Sequence, residues 1–186
     1  MIDAGDLRKG SKILIDNVPY AVLEAEHVKP GKGSAFARVR IKNLSSGQLL
    51  ERTFKMERFE EPNLDFRQMQ FLYTEGDMFV FMDNENFEQI SLTEKLVGES
   101  KSFLKENIVV GVLFYNEKPI TIDLPTFVEL AITYCEPGFK GDTATGGSKP
   151  ATLQGGHIVN VPLHLKEGDV LKIDTRTGEY VEKVSK

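Results

Sequence analysis

The sequence predicts an all-β protein of three small β-barrels in series, and three observations carry that expectation. Short runs rich in Val, Ile, Phe and Tyr are broken at close intervals by Gly, Pro, Asn and Asp, as strands joined by tight turns are. One unit recurs: Lys9–Asp16, Glu75–Asp83 and Glu167–Asp174 each run from a Gly turn through an apolar strand to an Asp-containing turn. The copies are too short and too far apart for a solenoid, and one such hairpin per barrel accounts for them. Breakers then divide the chain. Glu60-Glu61-Pro62-Asn63-Leu64-Asp65 and Asp123-Leu124-Pro125-Thr126 read as linkers, leaving domains 1–63, 64–126 and 127–186. Each holds roughly 60 residues, near the lower limit for a self-standing core.

In the first domain the informative stretch is Glu26 to Arg40, where Lys32 stands between Gly31 and Gly33 and behind Pro30. Glycine supplies the angles of a tight reversal without steric cost and proline presets its own φ, so a hairpin tip is expected with nothing beside Lys32 to shield it. An ordinary solvated turn has the same spacing. After the tip, Ala35, Ala37, Val39 and Ile41 alternate with Ser34, Phe36, Arg38, Arg40 and Lys42, the period of a half-buried strand. The basic side chains share one face, either as a solvated surface or as a contact for a polyanion, and the latter is favoured because the face leads to Lys32.

For the second domain, Phe66, Met69, Phe71, Tyr73, Phe79 and Phe81 are expected to fill the interior in place of tryptophan. The one helical patch, Leu92–Val97 continuing after Gly98 towards Phe103 and Leu104, fits a short helix closing one end of a five-stranded oligonucleotide-binding type barrel. In the third domain Cys135 lies in a strand and reads as a small buried apolar residue. The loop Phe139–Pro150 carries Gly141, Asp142, Thr143, Thr145, Gly146, Gly147 and Lys149, whose hydroxyls, amides and ammonium can donate to phosphate and ribose oxygens. A flexible polar loop has the same composition.

Charge is distributed unevenly. From His27 to Arg58 there are eight basic side chains, including Lys29, Arg38, Arg40 and Lys42, against Glu51 and Glu57: a net of +6. The formal total is −5, so the remainder carries −11. One cationic face on an acidic body fits selective contact with a polyanion. No apolar run approaches the ~20 residues of a membrane span, the N-terminus lacks the pattern of a secretory signal, and a single cysteine suits a reducing compartment; a cytoplasmic location follows.

Catalytic chemistry is not in view. His27, His157 and His164 are scattered without zinc-ligand spacing, so neither metal nor cofactor is expected. Gly31-Lys32-Gly33-Ser34 lacks the spacing of a nucleotide-binding P-loop, and no Gly-x-Ser-x-Gly elbow occurs. An unperturbed lysine, with pKa near ~10.4, is a charge rather than a base at neutral pH. The chain does not read as an enzyme.

His27-Val28-Lys29-Pro30-Gly31-Lys32-Gly33, with Ala35–Arg38 and Asn43-Leu44, resembles the tip hairpin of the bacterial translation elongation factor P family. The resemblance continues through Met69–Tyr73, Phe81–Asp83, Glu136–Thr143, Lys149–Thr152 to Gly156, Val161-Pro162 and Gly168, over essentially the whole chain. It implies a first barrel of KOW/SH3-like type and two OB-like barrels in an L-shaped, tRNA-like arrangement. It implies a monomer that binds the 70S ribosome between the P and E sites, meeting ribosomal RNA and the P-site peptidyl-tRNA. The tip lysine, here Lys32, is implied to approach the tRNA CCA end and promote peptide-bond formation at polyproline stalls, often bearing an extension added by a lysine-modifying enzyme. Gly141 to Lys149 matches the loop expected near the E-site codon, and Tyr180 and Lys183 match C-terminal positions used by some members. The elongation-factor-P-like paralogue lacks this Pro-Gly-Lys-Gly tip, and the hypusine-carrying initiation factors have two domains. An OB-type single-stranded RNA-binding module is the alternative from another class.

Overall fold

In the computed structural model the described residues are 1–138 and 147–184. They form two compact units, Met1–Phe66 with Leu113–Thr121, and Arg67–Val112 with Ile122–Lys186.

In the first, β1 (Ile2–Asp3) and a 3-10 turn, Ala4–Asp6, precede β2 (Lys12–Ile15), β3 (Val18–Val28), β4 (Phe36–Asn43) and β5 (Leu49–Phe54). These four strands lie in the order β2-β3-β4-β5, and β6 (Arg58–Phe59) pairs with β1. Asp16 and Asn17 both take positive φ, 51° and 61°, giving the two-residue turn whose twist suits a β2–β3 hairpin. On β4 the expected alternation holds, except that Ala35, expected among the inward residues, precedes the strand and is exposed. Ala37, Val39 and Ile41 are buried with Leu7, Ile13, Val22, Phe54 and Phe59, while Arg38, Arg40 and Lys42 are exposed.

The next sheet has the order β11-β10-β7-β8-β9, formed by β7 (Leu64–Glu75), β8 (Met78–Asp83), β9 (Gln89–Thr93), β10 (Val109–Tyr115) and β11 (Lys118–Asp123). The third has the order β14-β13-β12-β15-β16, from β12 (Phe127–Cys135), β13 (Ser148–Leu153), β14 (Ile158–Pro162), β15 (Val170–Asp174) and β16 (Tyr180–Lys183). Both put their first strand in the centre, the second and third on one side, the fourth and fifth on the other. These half-barrel sheets share one topology, and each of the three recurring sequence units does lead into a hairpin: β2–β3, β8–β9 and β15–β16.

Two expectations about the second domain are corrected. Met69, Phe71, Phe79 and Phe81 are buried, but Phe66 is 53% and Tyr73 50% exposed. Phe66 has the parity opposite to Met69 and Phe71 on β7, and a bulge between Phe71 and Tyr73 turns the latter outward. The helix is also shorter than expected. α1 spans Glu94–Val97, started by Thr93, whose hydroxyl accepts the Leu96 N–H at 3.4 Å, and gives way to a 3-10 turn over Gly98–Phe103.

Val97 is buried, but Phe103 joins the third sheet's core with Val128, Leu130, Ile132, Leu153 and Leu171. Its ring lies 4.6 Å from that of His157, and a methyl at Gly155 would sit 2.6 Å from the Ser102 carbonyl oxygen. The linker residue Leu124 packs against the same core. Cys135 is buried as expected, with its Sγ 3.8 Å from the Leu165 carbonyl. Among the described residues no helix is long and apolar enough to cross a membrane.

Candidate functional site

The hairpin of β3 and β4 closes at the pair Val28 and Phe36, and residues 29–35 form the tip. Lys29, Pro30, Gly31, Lys32 and Gly33 are all exposed. Gly33 takes φ +115°, a backbone that side-chain-bearing residues rarely adopt, so its glycine is required by the turn itself. Gly31 differs. Its φ is outside that region, and an added Cβ would meet no atom of the chain within 4 Å. The fold has no need of glycine there; the clearance it leaves beside Lys32 is clearance towards whatever the tip meets.

The stem is held from behind. The His27 Nε2 lies 2.8 Å from the Leu7 carbonyl oxygen, which can only accept, so Nε2 carries the proton and ties β3 to the N-terminal segment. Beside the stem a cleft of ≈ 440 Å³ opens, with Lys29, Phe36, Lys55 and Met56 among its walls.

The cationic face is less naked than the charge count implies. Arg38 stands opposite Glu26 and pairs with it at 3.7 Å; Arg40 stands opposite Glu24, at 3.8 Å, and opposite Glu51 on its other side. Lys42 faces Ala21 and Leu49. The count began at His27 and so left out Glu24 and Glu26, the two carboxylates that sequence reasoning missed. Their i, i+2 spacing on the strand entering the hairpin was the signal that could have found them.

In the third sheet, Gly141, Asp142, Thr143, Thr145 and Gly146 lie outside the described residues. Gly147 is half-buried. Lys149 turns inward at the start of β13, buried, with its ammonium donating to the Glu136 carbonyl at 2.7 Å. That bond joins the two roots of the loop, the end of β12 and the start of β13. Tyr180 packs partly against the core, and Lys183 is ion-paired with Asp169 at 2.8 Å. The Lys183 ammonium, followed by the Lys166 backbone N–H, holds the Asp169 carboxyl below the usual carboxylate range. Among the described residues, therefore, the hairpin tip is where several candidate side chains converge in the open.

Comparison with known proteins covers the whole chain. The family described as "Elongation factor P (EF-P) KOW-like domain" matches residues 3–58, "Elongation factor P (EF-P) OB domain" matches 64–122, and "Elongation factor P, C-terminal" matches 128–183. Elongation factor P of Natranaerobius thermophilus is 50% identical over 185 residues, covering 99% of this chain and 98% of that one. The protein of the same name from Bdellovibrio bacteriovorus is 50% identical over 186 residues, covering 100% and 99%. Among solved structures, eukaryotic translation initiation factor 5A from Methanococcus jannaschii aligns with a TM-score of 0.54 at 27% identity, over 66% of this chain and 91% of that one.

Proposed function

The chain belongs to the elongation factor P family, a family of translation elongation factors, and we propose that it binds the ribosome between the P and E sites and restrains the CCA end of the P-site tRNA through Lys32. The observation that carries this reading is the tip itself: an exposed lysine beside a glycine the fold does not require. A probe entering a crowded RNA site needs that shape, whereas a solvated turn has no use for clearance at Gly31.

Ribosomal RNA carries out the bond formation. The factor's contribution is orientation: an ammonium held against RNA oxygens near the CCA end limits the positions a proline-bearing peptidyl-tRNA samples, and such restriction lowers the barrier without any bond to the protein. Lys32 extends only a few ångströms past the backbone. An added amine or hydroxyl group from a lysine-modifying enzyme would lengthen that reach and bring further donors, and intact mass of protein from its native host reads this directly. Lys29, Arg38, Arg40 and Lys42 flank the tip as RNA backbone contacts. We assign residues 141–149 to the neighbourhood of the E-site codon, with Lys149 bonded to the Glu136 carbonyl, and Tyr180 and Lys183 to further C-terminal contacts. In this reading the three domains, 1–63, 64–126 and 127–186, act as one cytoplasmic monomer and no step passes through a cofactor.

The test is synthesis of a polyproline reporter in an extract depleted of the endogenous factor, alongside ribosome affinity. Lys32→Ala is expected to abolish most of the rescue while ribosome binding, spread over many phosphate contacts, falls only a few-fold. Full rescue by Lys32→Ala sinks the proposal. Tight binding of naked single-stranded RNA by the wild type at physiological salt would favour the general RNA-binding module instead.

A further inference from the structure

The face behind the tip is a charge ladder rather than a cationic strip. On β3 a bulge falls between Val22 and Glu24, so that Val22 opposes Ile41 and Glu24, not Leu23, opposes Arg40. Without that extra residue Leu23 would stand against Arg40 and the alternation would put Glu24 and Glu26 on the core face. The bulge brings both carboxylates to the outer face, where Glu26 meets Arg38 and Glu24 meets Arg40, with Glu51 of β5 flanking Arg40 on its other side. Towards the tip the pattern changes. From His27 to Lys42 the sequence contains no carboxylate, and Lys29 and Lys32 are exposed there.

We propose that Glu24 and Glu26 are specificity-determining residues: they neutralise Arg38 and Arg40 against generic polyanions, so that the positive field of the hairpin is concentrated at its tip. The idea rests on reading the hairpin as the RNA-facing element. All four side chains are largely exposed, between 45% and 73%, and surface pairs of this kind contribute little to stability. They are weak enough to be exchanged for phosphate partners when the tip is already seated, yet each arginine must first leave a carboxylate. A random single strand offers only the face and must meet that cost at every contact. A site that also engages the tip has further binding energy to draw on. The ladder thus lets an acidic protein carry arginines to a polyanionic target without adhering to every RNA it meets.

The experiment compares the full-length wild type with Glu24→Gln/Glu26→Gln, which keeps shape and removes two charges, in fluorescence anisotropy with a labelled oligouridine over a range of salt. For single strands each phosphate contact adds about 0.7 to the slope of log K against log salt, so freeing Arg38, and Arg40 from one of its two neighbouring carboxylates, should steepen the slope by about 0.7 to 1.4. The variant's advantage over wild type should then grow about threefold to sevenfold from roughly 200 to roughly 50 mM salt. Glu182→Gln, which releases Lys172 from its 3.0 Å partner elsewhere on the protein, should leave the slope where it is. An unchanged slope in the double variant, or a steepening half as large in Glu182→Gln, which removes half as many charges, overturns the proposal, the second because net charge alone would then explain the effect. The readout is independent of Lys32: full rescue by Lys32→Ala would defeat the tip's role and leave this slope difference standing.

Discussion

Replacing Phe103 by alanine tests the least expected feature of the fold, a side chain from the second domain's helical segment serving the third domain's core. Phe103 is only 8% exposed and belongs to the cluster of Val128, Leu130, Ile132, Leu153 and Leu171, with the His157 ring 4.6 Å away. Truncating a buried phenylalanine removes its transfer energy and leaves a cavity, together about 3–5 kcal/mol, and the lost ring contact is part of that total. The figure is a large share of the roughly 5–15 kcal/mol that holds a domain folded. Native-state hydrogen exchange locates the loss. Amides of β12, β13 and β15 should exchange faster by the factor corresponding to about 3 kcal/mol, roughly a hundredfold or more. Those of β2–β5, whose core is separate, should be unchanged. A loss below about 1 kcal/mol, or one confined to β8 and β9, would refute the assignment of Phe103 to the third core.

The hairpin turns and the tip supply further tests. Phe87 holds φ 62° and is 69% exposed, in the position that glycine holds at Gly47 (76°) and Gly178 (75°); relief of that conformation outweighs glycine's entropy, so Phe87→Gly should raise stability by about 0.5 kcal/mol in urea melts. Gly178→Ala should lower it by about 1 kcal/mol or more, since its Cβ would also lie 3.1 Å from the His157 ring. Gly33→Ala should cost about 1 kcal/mol, while Gly31→Ala should melt like wild type yet lose polyproline rescue; equal rescue would remove the argument from clearance. Asp169 and Asp174 are held below the ordinary carboxylate range by Lys183 and Arg176 respectively. Their contribution is therefore full above the unfolded value of about 3.9 and is lost as pH falls through the depressed native values. Asp169→Asn should flatten the acid limb of a stability–pH profile; an unaltered limb would contradict the pairing.

How much of this was legible in the sequence depends on the range of the interaction. Turn chemistry acts over a few residues and reads well, although the recurring unit hid two different turns. Asp83 and Asp174 accept backbone N–H groups two residues on, at 2.7 and 2.9 Å, and each carbonyl receives the N–H four residues on. Asn43 does the same between β4 and β5, whereas Asp16 enters a two-residue turn. The echo is thus hairpin chemistry placed at different points of the topology: the second strand in one OB-like sheet, the fourth in the other. The inward face of β4 was likewise legible because nothing interrupts its alternation.

Bulges defeated the same logic elsewhere. One extra residue sent Tyr73 to the surface, and another brought Glu24 opposite Arg40. Phe103 was illegible for a different reason: a composition-based boundary at 126/127 cannot register a side chain that crosses it. Lys149 looked like one more donor in a polar loop, yet on β13 it shares the inward parity of Ala151 and Leu153, and the Glu136 carbonyl receives its ammonium. The tip was the opposite case. Its glycines announced a turn, but which of the two the turn requires is a matter of φ, and that difference separates Gly33 from Gly31.

The central claim is that Lys32 meets the CCA end of the P-site tRNA, and a short-range photo-crosslinker installed at position 32 tests it most directly on ribosomes stalled at a polyproline sequence. The account predicts crosslinks to the 3′-terminal nucleotides of the P-site tRNA and to the ribosomal RNA around them, lost when the P site is empty. Crosslinks that stay the same with the P site empty, or that fall on RNA remote from the tRNA end, would contradict it.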